Sequence, residues 1–458
     1  MRAAAGLGDD PPKPPAGAGL GDDPPKPPAG AGRRDELPKT APEGNGLARA
    51  LRPIVGPVSI ERVTRLSGGA SRETWAFDAV APDGSRTELV LRRDPPGRPS
   101  EPGALAREST AIGAAATAGL AAPDVLLTSE DGADTGAPGM IMRRVSGETI
   151  ARRILRDEQY EAARAVLVRQ LAQFAAGLHA LPAPTHFPRP DPLAQLRDQL
   201  DSFDRPSEVF ELAMDWLGAN PPPARQPVLL HGDFRLGNLV VGEDGLRAVL
   251  DWELTHTGNP AADLGWLCVK AWRFGSALPV AGVGTREELL AAYRTAGGAD
   301  ISPVELRWWE ILGTLRWGII CLTQAWAHLS GAHRSVELAA IGRRVCEQEW
   351  DLLLLLDPDS AERASRPLVS ADGRPSPAPY GRPTATELLD AVREYLLGSV
   401  LPQTSGQLSF HARVAANAIA IVIRELNLGA GPPDAGLADQ VAARLAVANP
   451  KYFDTPPP

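Results

Sequence analysis

The sequence predicts an α+β fold with a small β-rich lobe, a larger helical lobe and a final all-α domain of three helices. Short strand patterns crowd into residues 58–145, and helix-length apolar stripes dominate after Gly147. A Pro- and Ser-rich stretch at 360–382 separates the last helices from the rest and is interpreted as a linker. A chain of 458 residues also exceeds the usual size of a single core, so several folded units are expected.

The first 45 residues are predicted to be disordered. The unit AGLGDDPPKPPAG occurs at 5–17 and is repeated letter for letter at 18–30. A segment so rich in Pro, Gly and Asp buries too little apolar surface to offset the loss of chain entropy. A proline-rich ligand for a partner domain is the alternative interpretation.

The small lobe, residues 46–147, is predicted to contain five strands and one inserted helix. Loosely alternating apolar residues indicate strands, and Pro82-Asp83-Gly84 is typical of a turn between two of them. An Ala-rich stretch predicts the helix. The predicted strands are 58–66, 72–80, 87–92, 125–127 and 140–145, and the predicted helix is 103–117.

The large lobe, residues 148–359, is predicted to be mainly helical, because apolar residues recur at helical spacing. One stripe joins Leu167 to Leu178, and a second joins Trp308 to Trp326, which is interpreted as core. Beyond the linker, residues 383–450 are predicted to form three helices. The first begins with a capping box formed by Thr384 and Glu387.

Composition argues against several function classes. A net charge of −9 argues against a broad surface for nucleic acid or anionic membranes. The absence of a stretch of about 18 uncharged apolar residues argues against a membrane span. Cys268, Cys321 and Cys346 match no disulfide or zinc spacing, so they are expected to be buried thiols of a cytoplasmic protein.

The strongest chemical signal is the segment HGDFRLGN at 231–238, which follows an apolar strand. A second strand leads to Asp251, thirteen residues after Asn238. Phosphoryl transfer needs a hydroxyl aimed at the γ-phosphorus and metal ions that neutralise the phosphate oxygens. Asp233 can orient that hydroxyl and take its proton, while Asn238 and Asp251 offer the hard oxygen ligands that Mg²⁺ prefers. The alternative, ordinary turn and cap residues, explains one such Asp more easily than the whole pattern.

These motifs resemble a known family. Residues 58–357 resemble the aminoglycoside and choline phosphotransferase superfamily, in which the catalytic loop and the metal-binding Asp follow in this order. The sequence is most similar to the phosphotransferase domains associated with acyl-CoA dehydrogenases, through LSGGAS at 66–71, LRR at 91–93 and GNPxxDL at 258–264. The resemblance implies a protein-kinase-like bilobal fold that binds ATP and Mg²⁺ between its lobes.

The nucleotide site is expected in the small lobe. The glycines at 68 and 69 would let backbone N–H groups approach phosphates, although glycines are also common in hairpins. The resemblance further implies that Arg92 grips the phosphates where the wider superfamily has lysine, and that Glu108 steadies Arg92. The alternative for both is an exposed charge on a solvated face. The expected nucleotide-binding residues are Ser67, Gly68, Gly69, Ala70, Ser71, Arg92, Glu108 and, at the adenine hinge, Met142.

Three further residues surround the predicted catalytic centre. His231 is grouped with Asp233 as a catalytic residue, but it is expected to order the loop rather than to move protons. Asp263 resembles a family residue that anchors this loop. Glu253 assists the metal or holds a backbone group, and these two alternatives stay open.

The resemblance implies an enzyme that phosphorylates a hydroxyl group of a small molecule, with a hydroxylated acyl compound or its CoA thioester ahead of an aminoglycoside. A kinase for aminoglycosides would line its acceptor site with carboxylates. The rival hypothesis is a pseudokinase that binds nucleotide or an acyl-CoA and regulates an acyl-CoA dehydrogenase partner. The three C-terminal helices resemble a small family of unknown function, for which a docking or regulatory role is expected.

Overall fold

A computed structural model describes residues 41–66, 72–95, 101–203, 207–333, 335–364, 385–428 and 435–458. Several sequence-based predictions concern segments outside these described residues. They are the repeat in the first 40 residues, the glycine-containing loop at 67–71, most of the linker, and Thr384 of the capping box.

The elements of the small lobe are α1 (Gly44–Val55), β1 (Ser59–Arg65), β2 (Glu73–Val80), β3 (Arg86–Arg93), α2 (Ala104–Thr117), β4 (Val125–Ser129) and β5 (Gly139–Arg143). The strands form an antiparallel sheet in the order β1-β2-β3-β5-β4. The predicted turn joins β2 to β3, where the Ala81 and Gly84 amides make its backbone hydrogen bonds. The predicted small α+β lobe is therefore confirmed.

Helix α1 was not predicted, and its first two residues lie in the segment assigned to disorder. Its residues Leu47 and Leu51 are fully buried against Trp75, Phe77 and Leu89 of the sheet. Burying two leucines contributes roughly 3 to 6 kcal/mol before entropy is counted. The helix thus covers one face of the small lobe and closes its core.

The large lobe is built from helices around two short β-ribbons. Strand β6 (Val228–Leu230) pairs with β9 (His256–Gly258), and β7 (Leu239–Gly242) pairs with β8 (Gly245–Val249). The helices before β6 are α3 (Ala151–Arg156), α4 (Glu161–His179), α5 (Pro192–Asp201) and α6 (Glu208–Ala219). Those after β9 are α7 (Ala261–Cys268), α8 (Arg286–Thr295), α9 (Pro303–Leu329), α10 (Val336–Gly342), α11 (Val345–Leu356) and α12 (Ser360–Arg363).

Helix α9 is the central element of the large lobe. It begins with a Ser302 cap, whose hydroxyl accepts the Glu305 amide, and with Pro303 in the first turn. The predicted Trp308 to Trp326 stripe lies within α9, with both tryptophans buried. The prediction of a core helix is confirmed, and α9 packs against α7, α10 and α11.

The three C-terminal helices are α13 (Ala385–Tyr395), α14 (Gly406–Leu428) and α15 (Leu437–Ala448). Helix α13 packs on α14, and α14 also packs on α10. Helix α15 lies against α11, and its residues Val441, Ala442 and Leu445 join the core of the large lobe. The last helix thus shares its core with the large lobe.

Two expectations drawn from composition concern the three cysteines and the absence of a membrane span. All three cysteines are buried free thiols, as predicted, and burial raises the pKa of each. Among the described residues, α14 alone has the length and apolar composition of a membrane-crossing helix, which by itself is weak evidence. A third of its apolar window is buried within the protein.

Candidate active site

The predicted catalytic loop joins β6 to β7, and Asp263 of α7 binds its backbone. The amides of His231 and Gly232 donate to the Asp263 carboxylate at 2.8 and 2.9 Å. Gly232 has a φ of 82°, and a Cβ there would lie 2.3 Å from the Leu254 carbonyl oxygen. Only glycine suits this position, which brings the loop close to the segment before β9.

The loop anchor Asp263 is itself held by buried His179, which is held in turn by buried Tyr293. His179 Nε2 lies 3.3 Å from its carboxylate, and the Tyr293 hydroxyl lies 2.8 Å from His179 Nδ1. Burial alone would raise the pKa of Asp263, but the hydrogen bonds from His179 and from the loop lower it below its usual value. Asp263 therefore binds the backbone of the catalytic loop, which is the contact that the resemblance implied.

His231 is fully buried and is held at both ring nitrogens. The Asp233 amide donates to Nδ1 at 3.2 Å, and Nε2 lies 3.1 Å from the Leu250 carbonyl oxygen. Burial lowers the pKa of His231. These contacts fit a neutral ring with its proton on Nε2, and they join the catalytic loop to the end of the strand before Asp251.

Asp233 is surrounded by hydrogen-bond donors. The Trp266 indole Nε1 donates to its Oδ1 at 2.7 Å, and the Asn238 amide donates to its Oδ2 at 2.7 Å. Arg235 Nε lies 3.0 and 3.2 Å from the two carboxylate oxygens. The carboxylate is thus fixed by three donors and keeps 12% of its side chain exposed.

Two arginines stack on tryptophans beside this carboxylate. The Arg235 guanidinium lies 4.7 Å from the Trp272 ring centre, and the Arg316 guanidinium lies 4.7 Å from that of Trp266. Arg316 also donates to the Gly232 carbonyl oxygen at 3.1 Å. Burial lowers the pKa of Arg316, while the Asp233 charge opposes that effect. The surroundings of Asp233 are therefore cationic and aromatic.

Arg92 of β3 connects the two lobes. Its Nη1 lies 2.6 Å from Glu108 of α2, and its Nη2 bonds Asp251 and lies 3.1 Å from Glu253. Burial alone would lower the pKa of Arg92, but the three carboxylates raise it. The structure thus brings Arg92, Glu108 and Asp251 together. Arg92 is bound to the predicted metal ligand itself.

A second arginine reaches the same glutamate. Arg72, which precedes β2, is buried and bonds Glu108, and its Nε lies 2.9 Å from Asp94. Arg72 was missed by the sequence analysis, although it directly follows the predicted glycine-containing loop. Arg72 and Arg92 thus share Glu108 of α2 as a partner.

The predicted metal ligands lie on adjoining segments. The Leu250 amide donates to the Asn238 carbonyl oxygen at 2.7 Å, so Asp251 follows a residue bound to Asn238. Asp251 has a φ of 68°, an uncommon value for this residue type and one enriched at functional sites. The Asn238 amide nitrogen is used by Asp233, which leaves its oxygen to face a cation. An amide oxygen and a carboxylate fit Mg²⁺.

Within the described ranges, no group of three or more His, Cys, Asp or Glu residues could hold a metal ion by itself. A cation at Asn238 and Asp251 would therefore take its remaining ligands from phosphate and water, as Mg²⁺ commonly does.

Comparison with known families identifies the chain. The model of the phosphotransferase enzyme family matches residues 62–309, more than half of the sequence. The chain belongs to this family. A second match, to a domain of unknown function, covers residues 402–436 within the C-terminal helices. The predicted family and enzyme class of this phosphotransferase are thereby confirmed.

Curated relatives of the phosphotransferase are larger proteins. Acyl-CoA dehydrogenase family member 10 of Mus musculus is 31% identical over 42% of this chain and 19% of the relative. Acyl-CoA dehydrogenase family member 11 of Gallus gallus is 33% identical over 46% of this chain and 28% of the relative. The phosphotransferase thus matches less than a third of the length of either.

A solved structure supports the predicted two-lobed kinase-like fold. The crystal structure of a candidate aminoglycoside phosphotransferase from Ralstonia eutropha aligns with a TM-score of 0.54 at 22% identity. The alignment covers 68% of the phosphotransferase and 98% of that chain. At this identity the likeness shows the fold.

The predicted hinge residue lies on the strand that pairs with the strand of Arg92. Met142 is on β5, where it pairs with Val90 of β3 and is buried. Five contributors to the site were missed: Arg72, Trp266, Trp272, Arg235 and Arg316. Arg235 lies inside the recognised loop motif, and Arg316 interrupts an otherwise apolar helix, so both offered a signal in the sequence. The two tryptophans offered none apart from their buried character.

A cavity of about 680 Å³ lies between α5, α6 and the start of α9. Its walls are mainly apolar and include Leu217, Trp308 and Trp309, and it borders Leu230 and His256 beside the catalytic loop. None of Asp233, Asn238 and Asp251 lines it. Its volume is in the range of small-molecule pockets.

Proposed function

We propose that this phosphotransferase moves the γ-phosphoryl group of ATP to a hydroxyl group of a small molecule, with Asp233 as the base. The observation that supports this role is the fixed Asp233 carboxylate, held by Trp266, Asn238 and Arg235. A base must be held within hydrogen-bond reach of the acceptor hydroxyl, and a carboxylate fixed by three donors loses little freedom when it orients that hydroxyl.

Asn238 and Asp251 are the residues proposed to hold Mg²⁺. When bound, Mg²⁺ would neutralise charge on the phosphate oxygens and orient them. The Asn238 amide serves two purposes, because its nitrogen fixes Asp233 while its oxygen remains for the cation. One side chain thus couples the position of the base to that of the metal.

Arg92 is proposed to bind the nucleotide phosphates. It now bonds Asp251, so it must exchange this carboxylate for phosphate when Asp251 turns to the cation. Glu108 remains bonded to Arg92 on the other side and keeps the guanidinium in place. A guanidinium can pair bidentately with phosphate, which makes arginine a workable substitute for lysine here.

The acceptor is proposed to be a hydroxylated acyl compound that carries negative charge, such as a CoA thioester. Two arginines, Arg235 and Arg316, lie close to Asp233, and such cations favour an anionic acceptor over a polycationic aminoglycoside. The names of the curated relatives, which belong to acyl-CoA dehydrogenase families, support the acyl class. The acyl chain is proposed to enter the apolar cavity beside β6 and β9.

The decisive experiment measures phosphoryl transfer by the full chain. ATP, Mg²⁺ and a panel of hydroxyacyl-CoA thioesters, free hydroxy acids, aminoglycosides and amino alcohols are incubated with the protein, and phosphorylated products are detected by mass spectrometry. We expect transfer to a hydroxyacyl compound, reduced by about 10² to 10⁴ in Asp233→Asn. Asp215→Asn, the same change on the exposed face of α6, is the control and should keep full activity.

Two outcomes would contradict this proposal. Nucleotide binding without transfer to any acceptor would favour the pseudokinase hypothesis. Transfer to aminoglycosides alone would reject the acyl acceptor while keeping Asp233 as the base.

An acyl-CoA dehydrogenase partner is a further part of the proposal. Exposed apolar side chains on α13 and α14, among them Leu388, Tyr395, Leu408 and Leu426, offer a surface for such a partner. Sedimentation of the phosphotransferase with a purified acyl-CoA dehydrogenase should show a complex that Tyr395→Glu weakens. Independent sedimentation of both proteins would reject this partner.

A further inference from the structure

A short 3₁₀ turn, Pro450–Asp454, follows α15 and packs into the core of the large lobe. The Tyr452 hydroxyl donates to Asp351 Oδ2 at 2.6 Å, and Lys270 Nζ lies 3.0 Å from Asp351 Oδ1. Lys270 Nζ also lies 4.1 Å from the centre of the Tyr452 ring. The three side chains therefore form a closed, buried triad between the C-terminal segment, α11 and the turn that follows α7.

The buried Lys270–Asp351 ion pair depends on Tyr452. Asp351 is fully buried, and burial raises its pKa, while Lys270 and the Tyr452 hydrogen bond oppose that effect. A buried ion pair is stable only when its remaining hydrogen-bonding positions are satisfied. Tyr452 supplies the donor to the second carboxylate oxygen and an aromatic face to the ammonium group.

Lys270 lies in the turn that forms the aromatic wall beside Asp233. This 3₁₀ turn, Lys270–Trp272, directly follows α7. The Trp272 ring centre lies 5.2 Å from that of Trp266 and 4.7 Å from the Arg235 guanidinium. Trp266 and Arg235 both donate to Asp233, so the Tyr452 triad is linked to the proposed base through the backbone of this turn and the side-chain contacts of Trp272.

Other contacts hold the C-terminal segment at this place. Arg273, the residue after the turn, lies 3.3 Å from the Pro457 carbonyl oxygen and 2.8 Å from Glu310. Arg444 of α15 lies 2.9 Å from Glu349, and Asn449 lies 3.1 Å from Glu347. The segment is therefore fixed on both sides of Tyr452, to α11 and to the turn.

We propose that the C-terminal segment, residues 449–458, positions the Asp233 carboxylate, with Tyr452 as the positioning residue. This inference rests on the proposed role of Asp233 as the base. The three-helix region just before this segment, residues 383–450, was expected to have a docking or regulatory role, and such a module could be altered without any effect on the active site. The Tyr452 triad instead makes the end of the chain a structural part of the catalytic lobe.

The test compares the full-length protein with Tyr452→Phe, which removes one hydroxyl and keeps the ring. In protein labelled with ¹⁵N-tryptophan, the Trp266 indole resonance, assigned by its loss in Trp266→Phe, reports the hydrogen bond to Asp233. We expect this resonance to shift in Tyr452→Phe and kcat to fall about three- to tenfold, with the KM for ATP unchanged within about twofold. Tyr160→Phe, at a buried tyrosine just before α4, is the control and should change neither.

An unchanged Trp266 resonance in a folded Tyr452→Phe protein would overturn the inference, and so would a shifted resonance with unchanged kcat. The resonance requires no turnover. If the wild type transfers no phosphate, the proposed function therefore fails while the contact to Asp233 is still tested. If Tyr452→Phe does not fold, a chain ending at Thr455 keeps Tyr452 and removes the Arg273–Pro457 hydrogen bond. It should produce a smaller shift of the Trp266 resonance, and no shift would count against the inference.

Discussion

At the scale of single residues, the Asp233 carboxylate depends on neighbours that the sequence only partly indicated. The loop motif at 231–238 brought Asp233, Asn238 and Arg235 together, because residues so close along the chain share one turn. Trp266 and Trp272 come from 30 or more residues away, and their side chains reach Asp233 and Arg235 only through tertiary packing. No local pattern distinguishes such a tryptophan from a core residue.

Arg235 is predicted to contribute to turnover through its bond to Asp233. Arg235→Gln removes a charged donor 3.0 Å from the carboxylate, so kcat should fall roughly 10- to 100-fold, as for loss of a hydrogen bond to a charged group. Steady-state kinetics with the accepted substrate measure this. Arg247→Gln, an exposed arginine on β8, is the control. Equal losses in both variants would contradict a specific role.

His231 is predicted to make stability depend on pH. Burial holds its pKa below the ordinary 6.5 in the folded state, despite the opposing charges of Asp263, Asp233 and Asp251. Above about pH 6.5 the ring is neutral in both states, and below it the unfolded state binds a proton that the folded state does not. The free energy of unfolding should therefore decrease as the pH falls through this range.

The measurement is denaturant unfolding of the wild type and His231→Gln at about pH 7.5 and pH 5.5. The wild type should lose more stability than the variant on acidification. His186→Gln, at an exposed histidine, should behave like the wild type. The same pH dependence in all three proteins would rule out His231 as the responsible group.

At the scale of secondary-structure elements, the sequence analysis worked where the apolar pattern was local. The strands of the small lobe and helix α9 were predicted because period-two and period-3.6 patterns are visible within one segment. Helix α1 was missed because Pro-rich sequence surrounds it and Pro53 lies inside it. Its stability comes from burying Leu47 and Leu51 against the sheet, which is a tertiary effect.

The cavity between α5, α6 and α9 gives a prediction about substrate size. Gly218 lines it at the end of α6, and a Cβ at this residue would meet no heavy atom within 4 Å. Gly218→Leu should therefore fold normally and occupy space that an acyl chain would use. We expect kcat/KM to fall about tenfold or more for long-chain hydroxyacyl substrates and to change little for short ones.

A chain-length series of hydroxyacyl-CoA thioesters provides the measurement. Gly113→Leu, at another helical glycine with open space around its Cβ, is the matched control and should leave the series unchanged. An identical reduction for every chain length in Gly218→Leu would argue against the cavity as the acyl site.

At the scale of the whole molecule, the two lobes are joined by Arg92, which bonds α2 of one lobe and the Asp251 segment of the other. The family resemblance placed Arg92 and Glu108 together. It did not predict the bond to Asp251, since an ion pair across 159 residues depends on how the lobes face each other. The relation of α15 to the large lobe was likewise not visible in its amphipathic pattern, which does not specify the surface that it covers.

Arg92→Ala is predicted to weaken nucleotide binding. The loss of a guanidinium that pairs with phosphate should raise the Kd for ATP with Mg²⁺ about 10- to 100-fold. Isothermal titration calorimetry measures this without any acceptor. Arg86→Ala, on the same strand but half-exposed, should bind ATP like the wild type. Unchanged affinity in Arg92→Ala would move the phosphate contact to another residue.

The three buried thiols can report local opening of the large lobe. Cys268, Cys321 and Cys346 lie in three different helices of the large lobe, and their raised pKa values keep the sulfur protonated as well as covered. An alkylating reagent can therefore react only during moments when a helix lifts away. The alkylation rate of each cysteine would measure how often its helix opens. Any loss of activity with such reagents would show that the core opens locally in the native protein.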